Sequence, residues 1–175
     1  MKKMILCAML LAAAAGAAMA QAAPGAEQKL AEMKKLDKLV GTWKGSGWIQ
    51  RGKERENFTG AETVQSKLGG LAVLVEGKHF DAAGKVIHET LAVLSYNPQK
   101  KAYDFATYLA NGVAGVNELK AVGDHYEWGF EIPNFGTMRY TIRIENNKWL
   151  EIGEISRDGG NTWTKNFEMT LDKTK

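Results

Sequence analysis

The sequence predicts an all-β protein, a closed antiparallel up-and-down barrel of about ten strands preceded by one N-terminal helix. From Gly41 onward, apolar and polar residues alternate with a period of two, which is typical of strands with one dry face. Turn residues separate these segments at near-regular spacing. No later segment has the helical spacing that a crossover between parallel strands needs.

Closure of the sheet follows from the number of strands and the shortness of the turns. An open meander of this size exposes two edges with unpaired N–H and C=O groups, and closure removes both. Short turns favour an order in which each strand pairs with the next. A barrel of about eight to ten strands has room inside for side chains and roughly one small ligand.

The first 26 residues are predicted to lie outside the barrel domain. Lys2 and Lys3 precede an apolar stretch at 4–18, and Ala18-Met19-Ala20 matches a signal-peptidase site, with 20–22 as a second candidate. We therefore expect a signal peptide at 1–20 cleaved near Ala20, a flexible leader at 21–26, and a domain at 27–175. Such a protein is periplasmic or secreted, with no membrane segment after cleavage.

Cysteine usage and charge exclude several classes of function. Cys7 is the single cysteine and lies inside the predicted signal, so the mature chain has no thiol nucleophile, disulfide or cysteine-bound zinc. The chain has 23 basic and 20 acidic side chains, and loss of Lys2 and Lys3 leaves it nearly neutral. A near-neutral chain gives no electrostatic reason to expect nucleic acid as a partner.

The helix is predicted at 27–40, because Leu30, Met33, Leu36 and Val40 recur at helical spacing and Gly41 ends the pattern. The alternation is clearest at 124–132 and 137–144. Further strands are predicted at 44–50, 57–68, 71–80, 86–96, 102–109, 113–121 and 149–155.

One polar group is predicted from the hairpin register. If Gly69-Gly70 is a two-residue turn, Glu62 lies opposite Gly77 and diagonal to His79. With a turn at 81–84, His79 lies opposite Val86 and diagonal to His88. The three side chains then share the inner face near the barrel mouth. They form either a metal site or acid–base pair, or a solvated polar patch.

Aromatic residues on the predicted inner faces are candidates for contacts with an apolar ligand. Core filling explains more than half of these aromatics. Together with the polar group, the candidate ligand-binding residues are Glu62, His79, His88, Tyr103, Tyr126, Trp128 and Tyr140. No resident metal, cofactor or catalytic residue is assigned.

Gly41-Thr42-Trp43 matches the Gly-x-Trp signature that opens the first strand of lipocalins. With Leu68-Gly69-Gly70-Leu71 and Leu94-Ser95-Tyr96-Asn97, the chain resembles an uncharacterised bacterial lipocalin-like family, a domain of unknown function among the calycin-type barrels. The segment 41–47 also resembles, more distantly, the opening of nitrobindin-like haem barrels. Those barrels ligate iron with a histidine near the C-terminus, and this chain has no histidine after His125. We therefore expect no haem.

Residues 156–163, Ser-Arg-Asp-Gly-Gly-Asn-Thr-Trp, match the Asp-box of sialidases. A single copy predicts a structural hairpin rather than a propeller.

The favoured function is an exported barrel that binds a small, mostly apolar ligand. The alternatives are a filled barrel acting as a cell-envelope interaction module, or an enzyme that uses the Glu and His side chains, although the chain lacks the usual catalytic motifs. The partners considered are a small apolar ligand and a second copy of the chain.

Overall fold

A computed structural model describes residues 25–175. The helical segment comprises α1 (Ala26–Met33) and a 3₁₀-helix (Lys34–Leu39). The strands are β1 (Gly41–Arg51), β2 (Glu54–Lys67), β3 (Ala72–Phe80), β4 (Val86–Asn97), β5 (Ala102–Leu109), β6 (Ala114–Val122), β7 (His125–Ile132), β8 (Gly136–Glu145), β9 (Lys148–Ser156) and β10 (Thr164–Lys173).

The strands form one closed barrel in sequence order. Each pairs antiparallel with the next, and β1 pairs with β10, where Trp43 lies opposite Lys173. This confirms the predicted fold class of a closed antiparallel barrel with ten strands and one N-terminal helix.

The two ends of the barrel differ. One end, here called the mouth, carries the turns that follow the odd-numbered strands, from β1–β2 to β9–β10. The other, here called the closed end, carries the remaining turns and is covered by the helical segment. Met33, Leu36 and Leu39 of this segment are buried against the barrel. This end is therefore sealed by apolar packing.

Three long side chains of the barrel fix the helical segment by hydrogen bonds to its carbonyl groups. The Trp43 Nε1 donates to Leu39 O at 2.8 Å, the Tyr103 hydroxyl to Glu32 O at 2.9 Å and the Tyr126 hydroxyl to Lys35 O at 2.5 Å. Carbonyls near a helix C-terminus lack partners within the helix, so these donors satisfy groups that burial would otherwise leave unpaired.

The helix differs from its prediction in one respect. The α-helix ends at Met33, and residues Lys34–Leu39 continue as a 3₁₀-helix. Side chains three residues apart lie in line in a 3₁₀-helix, which places Leu36 and Leu39 together on the barrel. Periodicity alone does not separate this tighter turn from an α-helix.

The hairpin between β2 and β3 has the predicted register, with Glu62 opposite Gly77. Leu68 and Leu71 close its turn through an N–H···O=C bond, and Gly69 and Gly70 both have positive φ, which glycine adopts without strain. The predicted pairing of His79 with Val86 is wrong. A register shift next to His79 sets it directly opposite His88 and pairs Phe80 with Val86.

The predicted signal peptide and most of the predicted leader lie outside the described residues, while Ala26 already belongs to α1. Among residues 25–175, we find no helix with the length and apolar character needed to span a membrane.

Candidate functional site

Two kinds of side chain line the barrel interior above the closed end. The strand register places large rings on one side, here called the aromatic wall: Phe58 of β2, Trp128 of β7, Tyr140 of β8 and Phe167 of β10. On the other side, here called the small-residue wall, most inward positions hold short side chains: Gly77 of β3, Thr90 and Ala92 of β4, Thr107 of β5 and Asn117 of β6. Phe105 of β5 also points inward and meets Trp128 edge-on at 5.1 Å. A difference in side-chain volume therefore runs across the lumen.

The rings of the aromatic wall contact one another. Trp128 and Tyr140 stack with centroids 4.3 Å apart and planes 9° apart, and Tyr140 meets Phe167 edge-on at 5.7 Å. Phe167 continues to Phe58 at 5.7 Å. Such contacts fix the orientation of each ring and contribute about 0.5–1.5 kcal/mol per pair beyond burial. The wall is a rigid apolar surface.

Glu62 projects inward from β2 and is 8% exposed. Its carboxylate lies over Gly77, where an added Cβ would be 2.5 Å from Oε2, so only glycine leaves it room. The His79 Nε2 lies 3.8 Å from Oε1, which is too long for a hydrogen bond. Burial raises the pKa of Glu62 to about 7. Near neutral pH this carboxyl therefore exchanges a proton readily.

Glu151 of β9 is a second inward carboxyl and was not among the predicted site residues. It is 8% exposed, and its oxygens accept long hydrogen bonds from Trp128 Nε1 at 3.4 Å and Trp149 Nε1 at 3.3 Å. Burial, followed by the charge of Glu62, raises its pKa to about 7. Trp149, Glu151 and Gly153 share the inner face. Apolar Leu150 and Ile152 occupy the alternate positions, so the sequence pattern alone does not show which face is inward.

His79 and His88 lie on neighbouring strands toward the mouth. Their rings are 5.0 Å apart, and His79 stacks on Phe58 at 4.3 Å. Burial lowers the pKa of His79 to about 4, so it is neutral at pH 7. Desolvation, His79 and Arg51 lower the pKa of His88, whose Nε2 is 2.6 Å from the Thr90 hydroxyl.

The structure brings Glu62, His79 and His88 together as one inward group, as the hairpin register suggested. Within residues 25–175, no three His, Cys, Asp or Glu side chains converge in the way that metal ligands do. The group instead pairs a carboxyl that titrates near neutrality with an uncharged imidazole. Such an arrangement can accept or donate a proton, or bind a polar group of a ligand.

The four aromatic candidates fall into two pairs. Trp128 and Tyr140 stack in the aromatic wall, and burial, followed by Glu151, raises the pKa of Tyr140. Tyr103 and Tyr126 lie at the closed end, with hydroxyls bound to the helical segment. Tyr103 and Tyr126 therefore hold the helical segment on the barrel and lie away from the polar group.

Two surface clefts border the barrel ends. One, of about 270 Å³, lies at the mouth between the start of β4 and the end of β5, and His88 lines it with Ile87 and Leu109. The other, of about 210 Å³, lies beside the helical segment and is lined by Lys35, Lys38 and Tyr126. Of the polar group, only His88 lines the first cleft.

The Asp-box forms the predicted hairpin between β9 and β10. Asp158 accepts hydrogen bonds from Ser156 Oγ at 2.8 Å, Thr162 N at 2.9 Å and Thr162 Oγ1 at 2.6 Å. Trp163 donates to Gly160 O at 3.0 Å and packs under the guanidinium of Arg139. These bonds hold the pKa of Asp158 down at about 2 and give the turn a structural role.

The fold and site together define a small closed barrel with a sealed end and a polar, aromatic interior. A family model described as protein of unknown function (DUF1579) matches residues 28–173. The chain belongs to this family. The crystal structure of Rv2717c from M. tuberculosis is similar, with a TM-score of 0.61 and 14% identity over 82% of this chain and 97% of that one. At this identity the likeness shows the fold alone. No curated protein was found to match significantly.

Proposed function

We propose that this protein is an exported, lipocalin-like binding protein that holds a small, mostly apolar molecule in the mouth half of its barrel. The ligand would lie between the aromatic wall and the small-residue wall, with Trp128 and Tyr140 against its carbon skeleton. Glu62, His79 and His88 would bind its polar group. Tyr103 and Tyr126 would keep the opposite end sealed.

One observation carries this proposal. The inward side chains of Trp43, Tyr103 and Leu171 at the closed end are at most 2% exposed, whereas those of Trp128, Tyr140, Thr107 and Asn117 point inward and remain partly exposed. A side chain that points into a barrel and still contacts solvent borders space that is open to the outside. An apolar pocket with a few polar groups is the usual form of a small-molecule site.

The test is binding of a neutral fluorescent probe, N-phenyl-1-naphthylamine, to the purified protein. We expect fluorescence enhancement in the wild type and its loss in Thr107→Trp, because an indole on the small-residue wall fills the lumen. Ala106→Trp is the matched control, since Ala106 is the outward neighbour on β5 and should leave binding intact. Native mass spectrometry and solvent extraction would show any co-purified ligand.

Equal binding by Thr107→Trp and wild type would place the probe outside the barrel and contradict the proposal. So would the absence of any enhancement in the wild type.

The proposed export is supported by residues 1–20, which have a basic start, an apolar stretch and a small-residue cleavage site. We expect the mature chain to begin near residue 21 in the periplasm or the medium. N-terminal sequencing of protein from fractionated cells tests this, and recovery of an uncleaved chain in the cytoplasm would exclude it.

A second candidate function is catalysis by proton transfer. One contact favours this function. The Glu62 carboxyl, with a pKa of about 7, lies 3.8 Å from the neutral imidazole of His79. Residues with pKa values near the working pH are suited to general acid–base catalysis. An activity screen comparing wild type with His79→Ala tests this function. A hydrolase or isomerase activity unaffected by the substitution would assign the chemistry elsewhere.

A further inference from the structure

The barrel interior contains acidic groups without a matching cation. Glu62 and Glu151 both point inward and are 8% exposed. The nearest basic side chains on inward strand positions lie at the two ends: Arg51 is paired with Glu56 at the mouth, and the Lys173 Nζ lies 5.1 Å over the Trp43 ring at the closed end. In the described part of the chain, the middle of the lumen has carboxyls and neutral imidazole but no lysine or arginine.

Glu62 has the incomplete bonding expected of a residue that receives a ligand. Its carboxylate points over Gly77 into the lumen, and among residues 25–175 no donor comes within hydrogen-bond distance of it. The Glu62 carboxyl is 8% exposed and has no hydrogen-bond partner in the described protein, so it has lost most of its hydration, and a partner with positive charge offsets most of that cost. This unpaired group is the observation that indicates a ligand.

Glu151 extends the same negative surface. The indole N–H groups of Trp128 and Trp149 hold its two oxygens in place. Its interaction with Glu62 is repulsive when both are ionised, as the raised pKa of Glu151 reflects. A cation lying near both carboxyls would replace this repulsion with attraction.

The aromatic wall supplies the second requirement of a cation site. Trp128 and Tyr140 are stacked, and both remain partly exposed toward the lumen. Indole and phenol faces attract organic cations, and quaternary ammonium groups in particular are bound by cages of such rings. The Trp128 indole both donates to Glu151 and belongs to this wall, so carboxyl and ring are adjacent.

We propose that the ligand is a small organic cation, an amine or quaternary ammonium carried on an apolar group, with its charge near Glu62 and Glu151 and its carbons against Trp128 and Tyr140. This inference rests on the proposed binding function and adds the chemical class of the ligand. Binding of the cation ionises the carboxyls, so protons are released as the complex forms.

The test compares two probes of the same shape, phenyltrimethylammonium and its neutral isostere tert-butylbenzene, as competitors of N-phenyl-1-naphthylamine. At pH 8 we expect the ammonium to bind about tenfold more tightly than the isostere, and this preference to shrink at pH 5.5, where the carboxyls are protonated. Glu62→Gln should remove most of the preference. Glu76→Gln, an exposed carboxyl on the outer face of β3, should retain it.

Glu151→Gln is a second variant, for use if Glu62→Gln alters the fold. Thermal unfolding shows whether each variant is folded. Equal affinity for the two probes, or an unchanged preference in both inward variants, overturns the inference. If the isostere displaces the neutral dye as well as the ammonium does, the binding function stands and only the cation class falls. If neither probe nor dye binds, both proposals fall.

Discussion

The closed end and the mouth half of this barrel are built from the same alternating strands but are packed differently. At the closed end Leu36, Trp43 and Leu171 are 0% exposed, and three side-chain donors of the barrel have carbonyl partners in the helical segment. In the mouth half, inward rings such as Trp128 remain partly exposed, and the Glu62 carboxyl lacks a hydrogen bond.

In the proposed function, stability and recognition therefore occupy separate halves of one wall. Close packing with all polar groups satisfied maximises stability, and unpaired groups beside open space cost stability but are available to a ligand. Substitutions at the two ends should therefore have effects of different kind and size.

The largest expected effect is at the closed end. Trp43→Ala removes a fully buried indole and its bond to Leu39, so the free energy of unfolding should fall by about 3–5 kcal/mol. Phe130→Ala at the mouth, where the residue is 37% exposed, should cost only about 1–2 kcal/mol. Urea unfolding compares them, and Leu36→Ala replaces Trp43→Ala if that variant does not fold. Equal losses at the two ends would remove the distinction.

The next effect concerns pH. Because the folded pKa of Glu62 is about 7, above its usual 4.5, the folded state binds the proton more tightly. The stability from this group is thus present below pH 4.5 and is lost as pH rises to about 7. Glu62→Gln should therefore gain roughly 2–3 kcal/mol relative to wild type between pH 5 and pH 8.

Urea unfolding of both proteins at pH 5 and pH 8 measures this difference. His79 has the opposite dependence, losing stability as pH falls from 6.5 toward its folded pKa of about 4, but it is common to both proteins and cancels in the comparison. Glu76→Gln is the control and should show no such change. A pH-independent difference would mean that Glu62 is solvated.

A smaller effect should separate the two walls of the mouth half. Gly153 faces Tyr140, and an added Cβ would lie 2.8 Å from both Phe167 Cβ and a Tyr140 ring carbon. Gly153→Ala should therefore lose about 1–3 kcal/mol of unfolding free energy. Gly115, opposite Thr107, has nothing within 4 Å of its added Cβ, so Gly115→Ala should be neutral or stabilising by up to about 1 kcal/mol. A large loss in Gly115→Ala would argue against open space beside the small-residue wall.

The smallest effect should be local, in the Asp-box hairpin at the mouth. Asp158→Ala removes the acceptor of the Thr162 N–H, so this amide should exchange with solvent faster. The thermal midpoint of the whole barrel should hardly change, since this turn lies at the mouth, at the opposite end from the helical segment. Hydrogen exchange measured by NMR checks this, with the Trp43 amide as an internal reference. Faster exchange at Trp43 as well would show that the hairpin supports the whole fold.

Local patterns in the sequence were sufficient to predict the fold and part of the site. The alternation at 124–132 and 137–144 and the turn residues predict β7, β8 and their antiparallel pairing, as observed. The turn at Gly69-Gly70 fixes the register of the hairpin between β2 and β3. That register places Glu62 opposite Gly77. These features depend on contacts between neighbours in sequence, which a pattern can report.

The rest depends on geometry that a pattern does not contain. The register shift beside His79 places His88 directly opposite it. No residue type at this position predicts such a bulge. In the sequence, Glu151 is one acidic residue in an alternating strand, and nothing shows that it points inward. The pairing of β8 and β9 shows which face is inward. The bonds from Tyr103 and Tyr126 to the helical segment join positions far apart in sequence.

The pairing of β1 with β10 gives the chain's last strand a decisive part in assembly. Until residues 164–173 are available, β1 and β9 each present a row of free backbone groups, and such rows recruit strands from other molecules. A chain shortened before Thr164 should therefore aggregate rather than fold into a nine-stranded barrel. Completion of the wall is also the step that spans the greatest separation in sequence, so it should come late in folding.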